Sequence, residues 1–216
     1  MVAAMPDPSR LALFVGAALL LLVVPGPSVL YIVTQSVSHG RRAGIASVAG
    51  ITTGTLVHIA AATVGLSALL ASSALAFDGV KYLGAAYLIA VGIRRLAGLE
   101  REREPHVRRT RDFGRLYRQG IVVNVLNPKT ALFFLAFLPQ FVEPTRGAAW
   151  LQILALGLLF AALGFLSDSV WAAVAGTLGE RLRRSRRFPA VQRYVSGSVF
   201  VGLGAVAALT APVKSD

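Results

Sequence analysis

Apolar positions fall into six long stretches separated by short polar ones: roughly residues 11–37, 45–71, 77–96, 118–142, 149–174 and 194–212. Each approaches or exceeds the ~20 residues that a helix needs to cross a bilayer. Little sequence is left between them. The pattern predicts an all-α integral membrane protein: one domain of six transmembrane helices over residues 1–216, with no soluble module. The first stretch resumes after an internal break, and no small-x-small cleavage site follows it. It therefore reads as a retained helix rather than a signal peptide.

Composition agrees. Of 216 residues, 55% are hydrophobic and 15% charged, and mean hydropathy is +0.65, well above most soluble domains. Cysteine is absent, which excludes disulfides, thiolate metal sites and thiol chemistry. The net charge of +12 raises nucleic acid as a partner, but its distribution argues against one. Seventeen of the 22 Lys and Arg residues fall in the loops after helices 1, 3 and 5, and four on the opposite side: Arg10, Lys81, Arg146 and Lys214. Positive charge stays cytoplasmic, so both termini are expected outside. The Arg clusters are placed to meet anionic lipid headgroups. The 98–118 segment GLEREREPHVRRTRDFGRLYR offers few base-reading groups, so no nucleic-acid role is expected.

Two stretches are broken where composition favours continuous helix. The first reads LLLLVVPGPSVLYIVT and the fourth LNPKTALFFLAFLPQFV. Proline lacks an N–H and clashes with the carbonyl four residues back. Each backbone group so freed costs several kcal/mol in hydrocarbon unless protein, water or ligand satisfies it. Paired broken helices at matching places in two halves mark the binding sites of secondary transporters. The order of other features suggests such halves: Tyr82 matches Tyr194, Gly92 matches Gly204, and Gly54 through His58 matches Gly164 through Asp168. The expectation is a 3+3 inverted repeat, with halves of about 1–97 and 118–216 joined by a basic cytoplasmic loop, 98–117. Candidate substrate-binding positions are Pro25, Gly26, Pro27 and Ser28 at the first break, and Asn127, Pro128 and Lys129 at the second. The half-helices starting near Ser28 and Lys129 would point positive N-termini at a carboxylate.

Asp168 is the most informative charge in the slab, because intramembrane carboxylates are costly and tend to be functional. It lies about 27 Å along helix 5 from Trp150, at about 1.5 Å per residue. It is the candidate holder of a substrate ammonium, helped by unwound carbonyls near Val24 and Asn127, and the candidate proton carrier. Lys129 is too deep for easy snorkelling; it would anchor a carboxylate or pair with Asp168. His58 is a second proton-coupling candidate, because histidine is the side chain suited to relaying protons at physiological pH, with satisfied packing as the alternative. Asn124 and Asn127 share a helix face. Gln35 and Gln140 sit near helix ends and read as interfacial.

With these residues in view, the chain resembles the LysE/RhtB-type amino-acid exporters. The resemblance rests on PGPSVLYIVTQSVSHGRRAGI, on Gly50, Gly54 and His58 followed by GLSALL, on KYLGAAYLIAVGI and on NVLNPKTALFFLAFLPQFV. It implies a bacterial inner-membrane protein that exports small neutral or basic amino acids by proton antiport, with no cofactor, and admits a homodimer. Two alternatives stand beside it: export of another small solute or drug, and a membrane-embedded enzyme. No HExxH, GxSxG or paired carboxylates support the enzyme, so none is expected.

Overall fold

The computed structural model describes residues 7–72, 74–99 and 112–184, together with residues 193–194, 197–198, 201–202, 205 and 208 of the last segment. Among the described residues all regular structure is helical. The order is α1 (Pro8–Val23), α2 (Pro27–His39), α3 (Arg41–Ser72), α4 (Ala74–Leu96), α5 (Phe113–Val125), α6 (Pro128–Leu132) and α7 (Ala149–Arg184). A π-helical turn, Phe133–Phe137, and a 3₁₀ turn, Leu138–Phe141, continue α6.

Two straight helices, α3 and α7, contain spans long and apolar enough to cross a membrane, Arg41–Ala68 and Ala149–Thr177. Two bent pairs supply two more: α1 with α2, bent by 50°, and α5 with the stretch from Pro128 to Phe141, bent by 48°. The chain is thus an all-helical membrane protein whose first and fourth spans are the broken ones. The third expected stretch forms α4. The sixth lies largely outside the described residues.

Helix ends differ from the sequence expectation where polar residues extend the helix beyond the apolar run. Helix α5 starts at Phe113, inside the expected basic loop. The Asp112 carboxylate caps it, accepting from Gly114 N at 3.0 Å and Arg115 N at 3.3 Å. This satisfies orphan donors of the first turn. Helix α7 runs on to Arg184 through GERLRR.

Two apolar clusters hold the bundle on either side of the breaks. The larger has seventeen buried residues from α1, α3, the α6 continuation and α7. Its centre is aromatic: Phe133 stacks on Phe160 with centroids 4.1 Å apart, and Phe14, Phe134, Phe137 and Phe141 join at 5.0–5.8 Å. Ion pairs close that end of the bundle, Arg10–Glu143 at 3.2 Å, Arg146–Glu143 at 2.9 Å and Arg146–Asp7 at 3.7 Å. The smaller cluster, toward the His39 end, has five buried residues: Tyr31, Ile32, Val48, Ile51 and Ala172. There the helices approach through glycine. A Cβ on Gly50 would sit 2.1 Å from the Tyr117 carbonyl oxygen, and one on Gly120 2.9 Å from that of Ser47. Backbone contact this close couples α3 tightly to α5.

Candidate functional site

The two breaks meet. Residues preceding proline are pushed out of the helical region. Val24 (φ −69°, ψ 119°) and Asn127 (φ −78°, ψ 109°) accordingly adopt extended backbone. Gly26 is extended as well (φ −125°, ψ −168°). The Lys129 side chain crosses from the second break to the first. Its Nζ donates to the Val24 carbonyl oxygen at 2.5 Å. Its stem lies over Gly26, where a Cβ would be only 3.1 Å from Lys129 Cδ.

Asn124, on the last turn of α5, ties the junction together. Its Oδ1 accepts from Ser28 Oγ and Thr130 Oγ1, both at 3.0 Å. Its Nδ2 donates to the Ile51 carbonyl and to Thr55 Oγ1, both at 2.8 Å. An amide has two donor hydrogens and two acceptor lone pairs, and all four are used. Asn127 Nδ2 donates to Ser28 Oγ at 2.8 Å, and Asn127 Oδ1 caps α6 by accepting from Lys129 N at 3.0 Å.

Beside this junction lies a cavity of about 40 Å³, room for about three waters at roughly 10–15 Å³ each. Gly26, Ser28, Asn127, Lys129 and Asp168 all line it. Thr52, Thr55, Asn124 and Thr130 complete a polar wall, and Leu21, Leu22, Phe160 and Phe165 an apolar one. Asp168 is 6% exposed, and among the described residues no hydrogen-bond donor reaches its carboxylate. The Lys129 charge bears on it through space. The cavity therefore combines a lone buried carboxylate, an ammonium and a helix N-terminus. That set complements a small molecule carrying both charges.

Not every sequence-derived candidate lines this space. Pro25, Pro27 and Pro128 make the breaks without lining the cavity. His58 stands behind the junction: its Nε2 bonds the Asn124 carbonyl oxygen at 3.0 Å, and its ring stacks on Phe134 with centroids 5.9 Å apart. A carbonyl only accepts, so Nε2 carries the hydrogen. Two carbonyls expected to hold a substrate ammonium are engaged within the protein, Val24 by Lys129 and Asn127 by Ala131 N at 3.1 Å. A freed carbonyl is costly in an apolar slab, and the chain satisfies its own. Gln35 and Gln140, expected at the interface, are 0% and 7% exposed; they lie inside the helix packing. The threonines were missed. Thr52 and Thr55 bond back to the carbonyls of Val48 and Ile51, as threonines in apolar helices commonly do, so their sequence carries no separate signal.

Comparison with known proteins identifies the family. Residues 19–211 match the family described as LysE type translocator. The chain is 33% identical over 189 residues to the homoserine/homoserine lactone efflux protein of Salmonella typhimurium, covering 88% of this chain and 91% of that one. It is 31% identical over 191 residues to an uncharacterized membrane protein of Vibrio cholerae, covering 87% and 90%. No solved structure matches it significantly. A family match over most of the chain, two broken spans and a charged cavity where they meet place the protein in one family: it belongs to the LysE-type translocators.

Proposed function

We propose that the protein exports small neutral amino acids from the bacterial cytoplasm in exchange for protons, by alternating access around the cavity between its two breaks. The observation that carries this reading is Asp168, a buried carboxylate with no described donor, lining the same cavity as Ser28 and Lys129. The carboxylate of the substrate docks at the α2 N-terminus and Lys129; its ammonium docks at Asp168. One acid and one base line the cavity, so a zwitterion leaves no charge unmatched, whereas a basic side chain would find no second acid. This favours neutral over basic substrates. The Salmonella relative, named for homoserine and its lactone, points the same way.

A proton reaching Asp168 from outside weakens its hold on the ammonium and releases the substrate outward, which couples export to proton influx. The cavity, with room for about three waters, must widen to take a whole amino acid. The charge asymmetry of the loops favours an inner-membrane protein with both termini periplasmic. It also sets the Arg clusters against anionic headgroups, and puts the larger apolar cluster toward the periplasm. The order broken span then long straight span recurs in both halves among the described residues, which favours an inverted repeat of about 1–97 and 118–216.

Efflux of radiolabelled amino acids from loaded vesicles, with and without a pH gradient, tests the proposal. Neutral amino acids should leave faster than from protein-free vesicles, and faster still when protons can flow inward. Efflux at the protein-free rate for every amino acid tried would sink it.

A further inference from the structure

Just beyond the smaller apolar cluster, two polar side chains are buried without use. Gln35 is 0% exposed and Ser36 1%. Gln35 Nε2 and Ser36 Oγ have no hydrogen-bond partner. His39 Nδ1 bonds the other end of the Gln35 amide, Oε1, at 3.1 Å; flipping the amide would only exchange which atom is orphaned. Such atoms are costly to bury and call for an explanation. Thr63, Ser67 and Gln119 also carry orphaned atoms, but those residues are only part-buried.

Their placement supplies one. Ser36 meets Gly44 and Ala172 where α2, α3 and α7 converge: a Cβ on Gly44 would lie 2.1 Å from Ser36 Oγ and 3.0 Å from Ala172 Cβ. Ala172 is one turn along α7 from Asp168, on the same face. Ser36 is about 12 Å along α2 from Ser28. Between the cavity and the orphaned pair stand Tyr31, Ile32, Val48, Ile51 and Ala172, the whole of the smaller cluster. The opposite side is closed by seventeen buried residues with a stacked aromatic centre. His39, part-buried, stands at the outer end of this line, beside exposed Arg41 and Arg42.

We infer that Gln35 and Ser36 line a cytoplasmic inlet to the cavity, shut here by the five-residue cluster, and that they hydrogen-bond water and the passing amino acid when it opens. The inference rests on the transport reading above. The orphaned atoms are then satisfied in the open conformer, and their burial here marks the route in its closed form. The thin side, closed by five residues, is the one that parts to admit substrate; the aromatic side stays sealed meanwhile.

The chain contains no cysteine, so a single introduced thiol reports on one position. Gln35→Cys, Ser36→Cys and, within the aromatic cluster, Phe137→Cys are to be made separately in the full chain. Each is treated with a membrane-impermeant cationic thiosulfonate, from the cytoplasmic face in inside-out vesicles and from the other face in right-side-out vesicles. An inlet open in about one molecule in a hundred labels about a hundredfold more slowly than an exposed thiol, which is measurable. The expected result is labelling of positions 35 and 36 from the cytoplasmic face only, with position 137 silent from that face. Two positions are used so that misfolding at one leaves the other to decide. Vesicles with intact efflux whose thiols at 35 and 36 stay silent, or label equally from both faces, overturn the inlet while the exporter stands. A parent protein that moves no amino acid removes both.

Discussion

The two breaks begin from the same device, a proline inside an apolar span, and end in different states. The second is saturated. Asn127 caps Lys129 N, the Asn124 carbonyl receives Asn127 N and His58, and the Asn124 side chain uses all four of its bonding positions. The first has no side-chain cap: Gly26 occupies the N-cap position and offers none, and the Val24 carbonyl is filled by a residue from the other break. The residue before the proline makes the difference. Asparagine supplies its own acceptor and turns a break into scaffold; glycine leaves the first turn of α2 without a side-chain cap beside the cavity. A helix N-terminus left open beside a buried carboxylate is suited to binding, and a capped one to holding the binder in place.

Four substitutions break or sharpen this contrast. The largest effect is expected from Asp168→Asn, which removes the one acidic charge lining the cavity. Efflux driven by a pH gradient should fall at least tenfold, a change of about 1.4 kcal/mol or more in coupling, with membrane insertion unchanged by immunoblot. Full coupled efflux would remove Asp168 from the mechanism. Next, Asn124→Ala strands Ser28, Thr130 and Thr55 hydroxyls around the saturated break. A loss of about 2–3 kcal/mol in stability is expected, read as an earlier thermal transition in detergent; an unchanged transition would deny the amide its organising role.

Gly26→Ser makes the open end resemble the closed one. A serine cap contributes about 1 kcal/mol to the helix while competing with the substrate carboxylate for the same N–H groups, and its Cβ displaces the Lys129 stem. Substrate affinity should fall about fivefold with stability kept or raised. Unchanged affinity would show that the α2 end does not hold the carboxylate. The smallest effect is expected from His58→Gln, which keeps a donor for the Asn124 carbonyl. Stability should change by less than about 1 kcal/mol and the pH profile of efflux not at all. A displaced profile would restore His58 to the proton path.

Much of the architecture was legible in the residues because the bilayer imposes simple rules. Apolar runs of spanning length, prolines inside two of them and one buried acid were visible without coordinates, since in lipid each departure from an unbroken apolar helix must be compensated. Lys129 stood out by depth, and in the structure it bridges to Val24. His58 could be read two ways, because a histidine advertises titration whether it relays protons or donates to a carbonyl. That Gln35 is fully buried was not legible in the sequence, because distance from a helix end is a poor guide to burial where glycines let helices close over a side chain.

The sequence by itself determined where the chain would cross, where it would unwind and which charges would lie inside, because these depend on local chemistry in a medium without water. Only the tertiary structure decided that the two unwound places touch, that one is capped and the other is not, and that Asp168 lines the cavity they share. Those outcomes depend on which partners packing brings within hydrogen-bond reach across about a hundred residues of chain, from Ser28 to Asn124 and from Val24 to Lys129, and no local pattern encodes such a meeting.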